Sequence, residues 1–222
     1  MNCQNKKVGI MGGTFDPIHY GHLILAQSAL ETFTLDEILF VPSGTPWLKD
    51  STKVLSKNKR VSMTGIAIED NPHFALSTIE IEREGNSYSY ETVEELKKEQ
   101  PETEFYFILG ADSLLEIERW KHPDRLMAEC TLIAAVRDDC DKEGLKKQIT
   151  YLKEKYHASI LTLPAQRIDI SSTMIREYIM GGKSVRYMLP DQVIAFIQKN
   201  HLYERSEELG STGDGSKTED NR

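Results

Sequence analysis

Cysteine is scarce in this sequence: Cys3, Cys130 and Cys140 lie far apart and form no Cys-x-x-Cys pair. They support neither a disulfide framework nor a zinc cage, and reduced, incidental thiols are the expectation. Long apolar runs are missing as well, so no segment reads as a membrane span. The opening residues MNCQNKKVGIMGG carry no apolar core of signal-peptide length before a strand-like stretch begins. A cytoplasmic address with no membrane partner is the expectation. Positive charge is in deficit, with a formal net charge of -8, which counts against a nucleic-acid partner because phosphate backbones attract basic surfaces. Two familiar phosphate-binding fingerprints fail too. Gly9 is followed by Met11 where GxGxxG needs its second glycine, and Glu177 stands where a Walker A loop ending at Gly182-Lys183-Ser184 needs its first.

What remains is 222 residues, 39% hydrophobic and 28% charged, enough for one α/β domain to build a core without covalent staples. Residues 1–205 read as that domain. Residues 206–222 hold five acids, two bases and one large apolar residue among Gly, Ser and Thr. Such a stretch buries too little to offset the entropy of ordering, and a disordered acidic tail is expected.

Within the domain, short β-rich runs alternate with helical patterns. Strands are expected at Lys7–Met11, Ile38–Val41, Phe74–Ile81, Phe105–Leu109, Thr131–Val136 and Ser159–Leu163. Leu23, Ala26, Leu30 and Phe33 mark one helix face, Val93 and Leu96 a second, and Leu145, Ile149, Leu152 and Tyr156 a third. The repeat predicts a Rossmann-like, doubly wound and mainly parallel sheet with helices on both faces. Ligands of such sheets sit beyond the carboxyl ends of the strands. There the sequence turns glycine-rich or polar, at Gly12-Gly13, Pro42-Ser43-Gly44 and Gly110-Ala111-Asp112.

The first of these ends carries the strongest chemical signal. Gly12-Gly13 lets the backbone approach a ligand, and a helix opening near Gly21 points free N–H groups at it. His19 and His22, three apart at that entrance, lie on one face where both imidazoles reach one anion. Gly21 leaves room for a flat base or ribose, and Thr14 adds a hydroxyl donor. A bare HxxH pair is more often a cap or a satisfied core pair, and a zinc site needs further ligands that the spacing does not provide. Near the other end, Ile170-Ser171-Ser172-Thr173-Met174-Ile175-Arg176 offers an N-cap serine, hydroxyl donors in a first helical turn and a guanidinium one turn on, a set that can clamp phosphate.

The eleven-residue string GGTFDPIHYGH, Gly12 to His22, resembles the first motif of the nucleotidyltransferase superfamily named for its HxGH element, and ISSTMIR resembles its second. Asn71 to Leu96, with Ser87-Tyr88-Ser89, and Phe107 to Trp120, with Gly110-Ala111-Asp112, are similar to segments of the nicotinate-nucleotide adenylyltransferases. The likeness continues through Asn200-His201-Leu202-Tyr203. Pantetheine-phosphate adenylyltransferases and small cytidylyltransferases share the first motif but lack the second pair of elements.

The resemblance implies transfer of AMP from ATP to nicotinate mononucleotide, with Mg²⁺ accompanying ATP and no metal held by protein side chains. It assigns Gly12, Gly13, Thr14, Phe15, His19, Gly21, His22, Ile170, Ser171, Ser172, Thr173 and Arg176 to ATP, with His19, His22 and Arg176 acting in the transfer. Lys49, Tyr88, Ser89, Gly110, Asp112 and Trp120 fall to the acceptor, Ser87 to Ser89 meeting the carboxylate and Trp120 stacking on the pyridine ring. Asp112 fits a ribose hydroxyl or a backbone turn, and Asp16 a cap or a loop-organising role. Two departures stand out. Pro46-Trp47-Leu48-Lys49 lacks the histidine of the family's Pro-Pro-His-Lys loop, and Ser89 replaces a threonine. The competing readings are an adenylyltransferase preferring the nicotinamide nucleotide or phosphopantetheine, a non-catalytic nucleotide-binding module, and a class I aminoacyl-tRNA synthetase, for which the chain is too short and acidic. Sequence leaves the oligomeric state open.

Overall fold

The computed structural model describes residues 5–46, 54–137, 141–166 and 168–204. In chain order its first half runs β1 (Lys7–Gly13), α1 (Tyr20–Thr32), β2 (Glu37–Pro42), β3 (Thr45–Pro46), α2 (Lys57–Ile68), β4 (Phe74–Leu76), α3 (Ile79–Glu82), β5 (Asn86–Ser87) and α4 (Ser89–Glu99). The second half runs β6 (Glu104–Gly110), α5 (Ala111–Leu115), a 3-10 turn at Ile117–Arg119, α6 (Pro123–Glu129), β7 (Thr131–Val136), α7 (Lys142–Tyr156), β8 (Ile160–Pro164), α8 (Ser172–Met180) and α9 (Asp191–Lys199).

Six strands form one sheet in the order β4-β2-β1-β6-β7-β8, every neighbouring pair parallel. The chain grows outward from β1 in one direction and returns at β6 to grow in the other. This is the doubly wound arrangement, with its crevice between β1 and β6. Strand residues alternate between two cores. Val8, Ile10, Leu39, Phe105, Phe107 and Leu132 pack with Val93 of α4, Leu126 of α6 and Leu152 of α7. Met11, Ile38, Phe40, Ile108 and Ile133 face the other way, onto Ala26 and Leu30 of α1, Met63 of α2, Ile175 of α8 and Val193 of α9. Both faces are therefore covered, which is why the strands read as nearly continuous apolar runs.

One expected strand is corrected. Of Phe74–Ile81, only Phe74–Leu76 pairs with β2, and Ile79–Glu82 is a single helical turn. The alternation Ile79-Glu80-Ile81-Glu82 mimics a half-exposed strand, but Glu80 is itself buried and accepts a hydrogen bond from Thr92 Oγ1 at 2.7 Å. A buried carboxyl with a partner on α4 holds the turn against the sheet. The fold also contains a small parallel pair, β3 with β5, that alternation did not announce. Gly44 leads into it at a close backbone approach, where a Cβ would stand 2.0 Å from the Glu80 carbonyl oxygen. Cys130 is a free, buried thiol, and burial pushes its pKa up to about 12, so it is inert as a nucleophile. Cys3, Cys140 and the acidic tail at 206–222 lie outside the described residues.

Candidate active site

The chain leaves β1 at Gly13 and climbs through a loop whose conformation is unusual at Phe15, left-handed at φ 48, and at the cis Asp16–Pro17 bond. His19 is the N-cap of α1, and His22 is the third residue of the helix. The His19 main-chain N–H donates to His22 Nδ1 at 3.2 Å, so a neutral His22 carries its proton on Nε2. The two imidazoles stack at 3.8 Å, and the Phe15 ring meets His22 edge-on at 5.1 Å. Burial pushes the His19 pKa down to about 4, leaving it a neutral ring near pH 7. Its Nδ1 is buried and has no hydrogen-bond partner among the described residues. Gly21 serves this stack directly, because a Cβ there would press on His19 Cε1 and Nδ1 at 3.0 Å. Space for the histidine ring is thus a second reason for that glycine, beside room for a ligand.

The other motif meets this loop from α8. Ser171 caps the helix through its hydroxyl, which accepts from the Met174 N–H at 3.2 Å. Ser172 Oγ donates to the Pro17 carbonyl at 2.8 Å. Arg176 Nη1 donates to the Asp16 carbonyl at 2.7 Å, and its Nη2 to Thr173 Oγ1 at 3.2 Å. Two segments far apart in sequence are therefore hydrogen-bonded into one wall. Five donors belong to a guanidinium, so these two bonds leave Arg176 with others for a ligand.

Between the walls, over the β1/β6 crevice, lies a cleft of about 740 Å³. Thr14, Phe15, His19, Gly21 and His22 line it on one side, Ile170 to Thr173 with Arg176 on another, and Gly110 with Asp112 at the end of β6. A Cβ on Gly110 would meet no heavy atom within 4 Å, so that glycine borders open space. Gly12 and Gly13 sit at the end of β1 below the cleft, where a Cβ would touch Phe107 and Phe15 respectively. Among the described residues no group of three or more His, Cys, Asp or Glu side chains is placed to hold a metal ion.

The expected acceptor residues are more scattered. Tyr88 is the N-cap of α4 and Ser89 its first residue. Ser87, offered in sequence as a carboxylate donor, is buried and uses its hydroxyl to accept from the Gly44 N–H at 3.0 Å. Trp120 ends the 3-10 turn, half-buried with its ring against Phe107 at 6.1 Å in an edge contact. Neither Tyr88, Ser89 nor Trp120 lines the 740 Å³ cleft. Lys49, with Trp47 and Leu48, lies outside the described residues.

Two residues that matter here, Arg60 and Tyr203, were not singled out as site residues in sequence, and for Asp16 the loop-organising reading fits the geometry better than the cap. Arg60 is almost wholly buried and donates to four main-chain carbonyls, of Leu55, Thr14, Ser43 and Gly44, at 2.6–3.0 Å. A signal existed: Arg60 lies on the same helical stripe as Met63 and Ala67, a position where a cation needs a reason. Asp16 organises the loop: its carboxylate accepts from Tyr203 OH at 2.6 Å and from the Leu55 N–H at 3.4 Å. Tyr203 carried no signal of its own.

A doubly wound sheet whose switch-point cleft is walled by a histidine pair and a serine-capped helix defines a nucleotide-binding transferase of the cytidylyltransferase-like class, and the model of that family matches residues 10–178. A probable nicotinate-nucleotide adenylyltransferase of Lachnoclostridium phytofermentans is 46% identical over 198 residues, covering 89% of this chain and 99% of the relative. Its counterpart in Thermoanaerobacter sp. is 44% identical over 205 residues, covering 92% and 97%. The chain belongs to the nicotinate-nucleotide adenylyltransferase family. Among solved structures, the Plasmodium falciparum nicotinic acid mononucleotide adenylyltransferase complexed with NaAD superposes with a TM-score of 0.72 at 22% identity, covering 89% of this chain and 97% of the other, which bears on the fold alone.

Proposed function

We propose that this chain transfers the AMP moiety of ATP to nicotinate mononucleotide, giving nicotinate adenine dinucleotide and pyrophosphate. The observation that carries the reading is the joint lining of one cleft by His19 and His22 from the first motif and Ser171, Ser172, Thr173 and Arg176 from the second. A 5′-phosphate oxygen of the mononucleotide attacks the α-phosphorus in line. A new P–O bond forms, the bond to the β-phosphate bridging oxygen breaks, and pyrophosphate leaves with the electron pair. No enzyme nucleophile takes part, so the rate depends on positioning and on donors aimed at developing charge.

His22 donates from Nε2 to the α-phosphate, its Nδ1 being occupied by the helix cap. His19 acts as a neutral polar ring stacked behind it. The first-turn N–H groups of α8 and the remaining donors of Arg176 receive the β- and γ-phosphates. Magnesium is the ion proposed to accompany ATP, and it would supply neutralisation of the triphosphate charge. On the acceptor side, Ser89 and the first turn of α4 meet the nicotinate carboxylate, Trp120 lies by the ring, and Asp112 holds a ribose hydroxyl. No helix among the described residues is long and apolar enough to cross a membrane, and a cytoplasmic setting, with small-molecule partners and no nucleic acid, is part of the proposal.

The test is direct. The protein is incubated with ATP, Mg²⁺ and, separately, nicotinate mononucleotide, nicotinamide mononucleotide or phosphopantetheine, and pyrophosphate and coupled product are followed by mass. Nicotinate adenine dinucleotide as the dominant product is expected. Equal or greater turnover of either rival acceptor overturns the substrate assignment, and no pyrophosphate with any of the three overturns the transferase reading.

A further inference from the structure

The loop that carries the transfer chemistry is held from behind by a residue outside both motifs. Asp16 is buried and makes three contacts at once. Its main-chain carbonyl accepts from Arg176 Nη1 at 2.7 Å, one carboxylate oxygen accepts from Tyr203 OH at 2.6 Å, and the other accepts from the Leu55 N–H at 3.4 Å. With both carboxylate oxygens engaged, the residue is fixed against rotation. The carbonyl that Arg176 grips belongs to that same residue. Arg176 is therefore bonded to the main chain of the residue whose carboxylate Tyr203 holds.

Tyr203 is built for this purpose. It adopts a left-handed conformation at φ 63 just beyond α9, while the preceding Leu202 is buried in the core and its N–H donates to the Ile197 carbonyl at 3.0 Å. The turn thus points the phenol into the protein instead of continuing the helix. Burial and the adjacent Asp16 carboxylate both raise the phenol pKa, so the hydroxyl stays protonated and remains a donor. Arg60 balances the charge nearby while its own donors are spent on the Thr14, Ser43, Gly44 and Leu55 carbonyls.

We infer that Tyr203 is a positioning residue for adenylyl transfer, acting through Asp16 to set the Arg176 guanidinium against the nucleotide phosphates. The inference rests on the transfer reading above, and its test scores binding and turnover separately. Tyr203→Phe removes one oxygen from a packed ring and should fold, which a melting curve checks. It should lower kcat about tenfold and weaken a non-hydrolysable ATP analogue several-fold, with KM for nicotinate mononucleotide changed by less than about twofold, as slight misplacement of a phosphate-holding group predicts. In an Arg176→Ala background the same substitution should add nothing, because its effect passes through the missing side chain. Asp16→Asn, which keeps an acceptor for the phenol, should fall between wild type and Tyr203→Phe.

Additive losses in the double variant, or an unchanged analogue affinity and turnover in Tyr203→Phe, overturn the inference. Because analogue binding needs no acceptor, a non-additive binding cycle in a protein that fails to turn over nicotinate mononucleotide supports Tyr203 and overturns only the acceptor assignment.

Discussion

The two halves of the site differ in how they are made. On the side proposed for ATP, the first-motif loop and α8 are bonded directly to each other, through Ser172 to Pro17 and Arg176 to Asp16, and the polar groups converge on one cleft. On the side proposed for the acceptor, the pieces are small: a two-residue strand pair, the single turn of α3, and the start of α4. Its hydrogen bonds serve the scaffold first. Ser87 Oγ receives the Gly44 N–H, and Thr92 Oγ1 donates to Glu80. The first half is thus a cross-bonded array suited to the charge of a nucleotidyl transfer, while the second is assembled from short turns at the edge of the sheet. Loss of a group on the first side should act on kcat, and on the second side on KM for the acceptor.

The strongest way to break that contrast is His22. His22→Ala should lower kcat about 10²-fold or more, the scale for losing one preorganised donor, which is roughly 2.7 kcal/mol of transition-state stabilisation. Since His22 Nδ1 also caps α1, the alanine should cost about 1 kcal/mol of stability as well. His22→Gln separates the two, because glutamine at the third helical position can retain a capping box while lacking the imidazole. It should melt near wild type and remain slow. A fast His22→Gln would show that the cap, and not the ring's N–H, is what catalysis needs.

His19 gives a smaller effect, in stability. Its pKa falls from an ordinary 6.5 to about 4 on folding, because burial disfavours the charged ring. The unfolded chain therefore binds a proton near pH 6.5 that the folded protein refuses until about pH 4. The contribution is intact above pH 6.5 and is lost as pH falls towards 4, at a slope of up to about 1.4 kcal/mol per pH unit. Urea melts at several pH values, comparing wild type with His19→Asn, should show that extra slope in the wild type alone. Parallel curves would place His19 in water and not under the Phe15 loop.

How far these two halves were legible in sequence follows from the same difference. The sheet strands were found because two buried faces force apolar runs, and Thr131–Val136 agrees residue for residue. The arrangement of the first-motif loop and α8 was legible because it is local: a cap, a glycine under a ring and a serine before a helix are each specified within a few residues. Phe74–Ile81 misled because a one-turn helix and an alternating strand share a pattern when a carboxylate is buried by a distant partner. Arg60 and Tyr203 act through contacts with loops far along the chain, and nothing within a helical window identifies the carbonyls and carboxylate they meet. Trp120 makes an edge contact with Phe107 in the core, a packing role that its place in the sequence did not announce.

The smallest effect is the one that sharpens the acceptor half. Ser89 opens α4, where a helix leaves N–H groups unpaired and its dipole favours an anion. If the carboxylate of the nicotinate ring docks there, the helix turn supplies most of the attraction and the Ser89 hydroxyl one further hydrogen bond. Removing a single donor of that kind costs about 1 kcal/mol, so Ser89→Ala should raise KM for nicotinate mononucleotide about five-fold while KM for ATP and kcat barely move. The ratio of the two KM changes is the informative quantity, because it cancels any general loosening of the fold. Equal rises in both would put the carboxylate elsewhere. An unchanged KM for the acceptor, with Thr at the same position also neutral, would leave the main-chain N–H groups of α4 as the whole of the recognition and make the side chain at 89 a spectator.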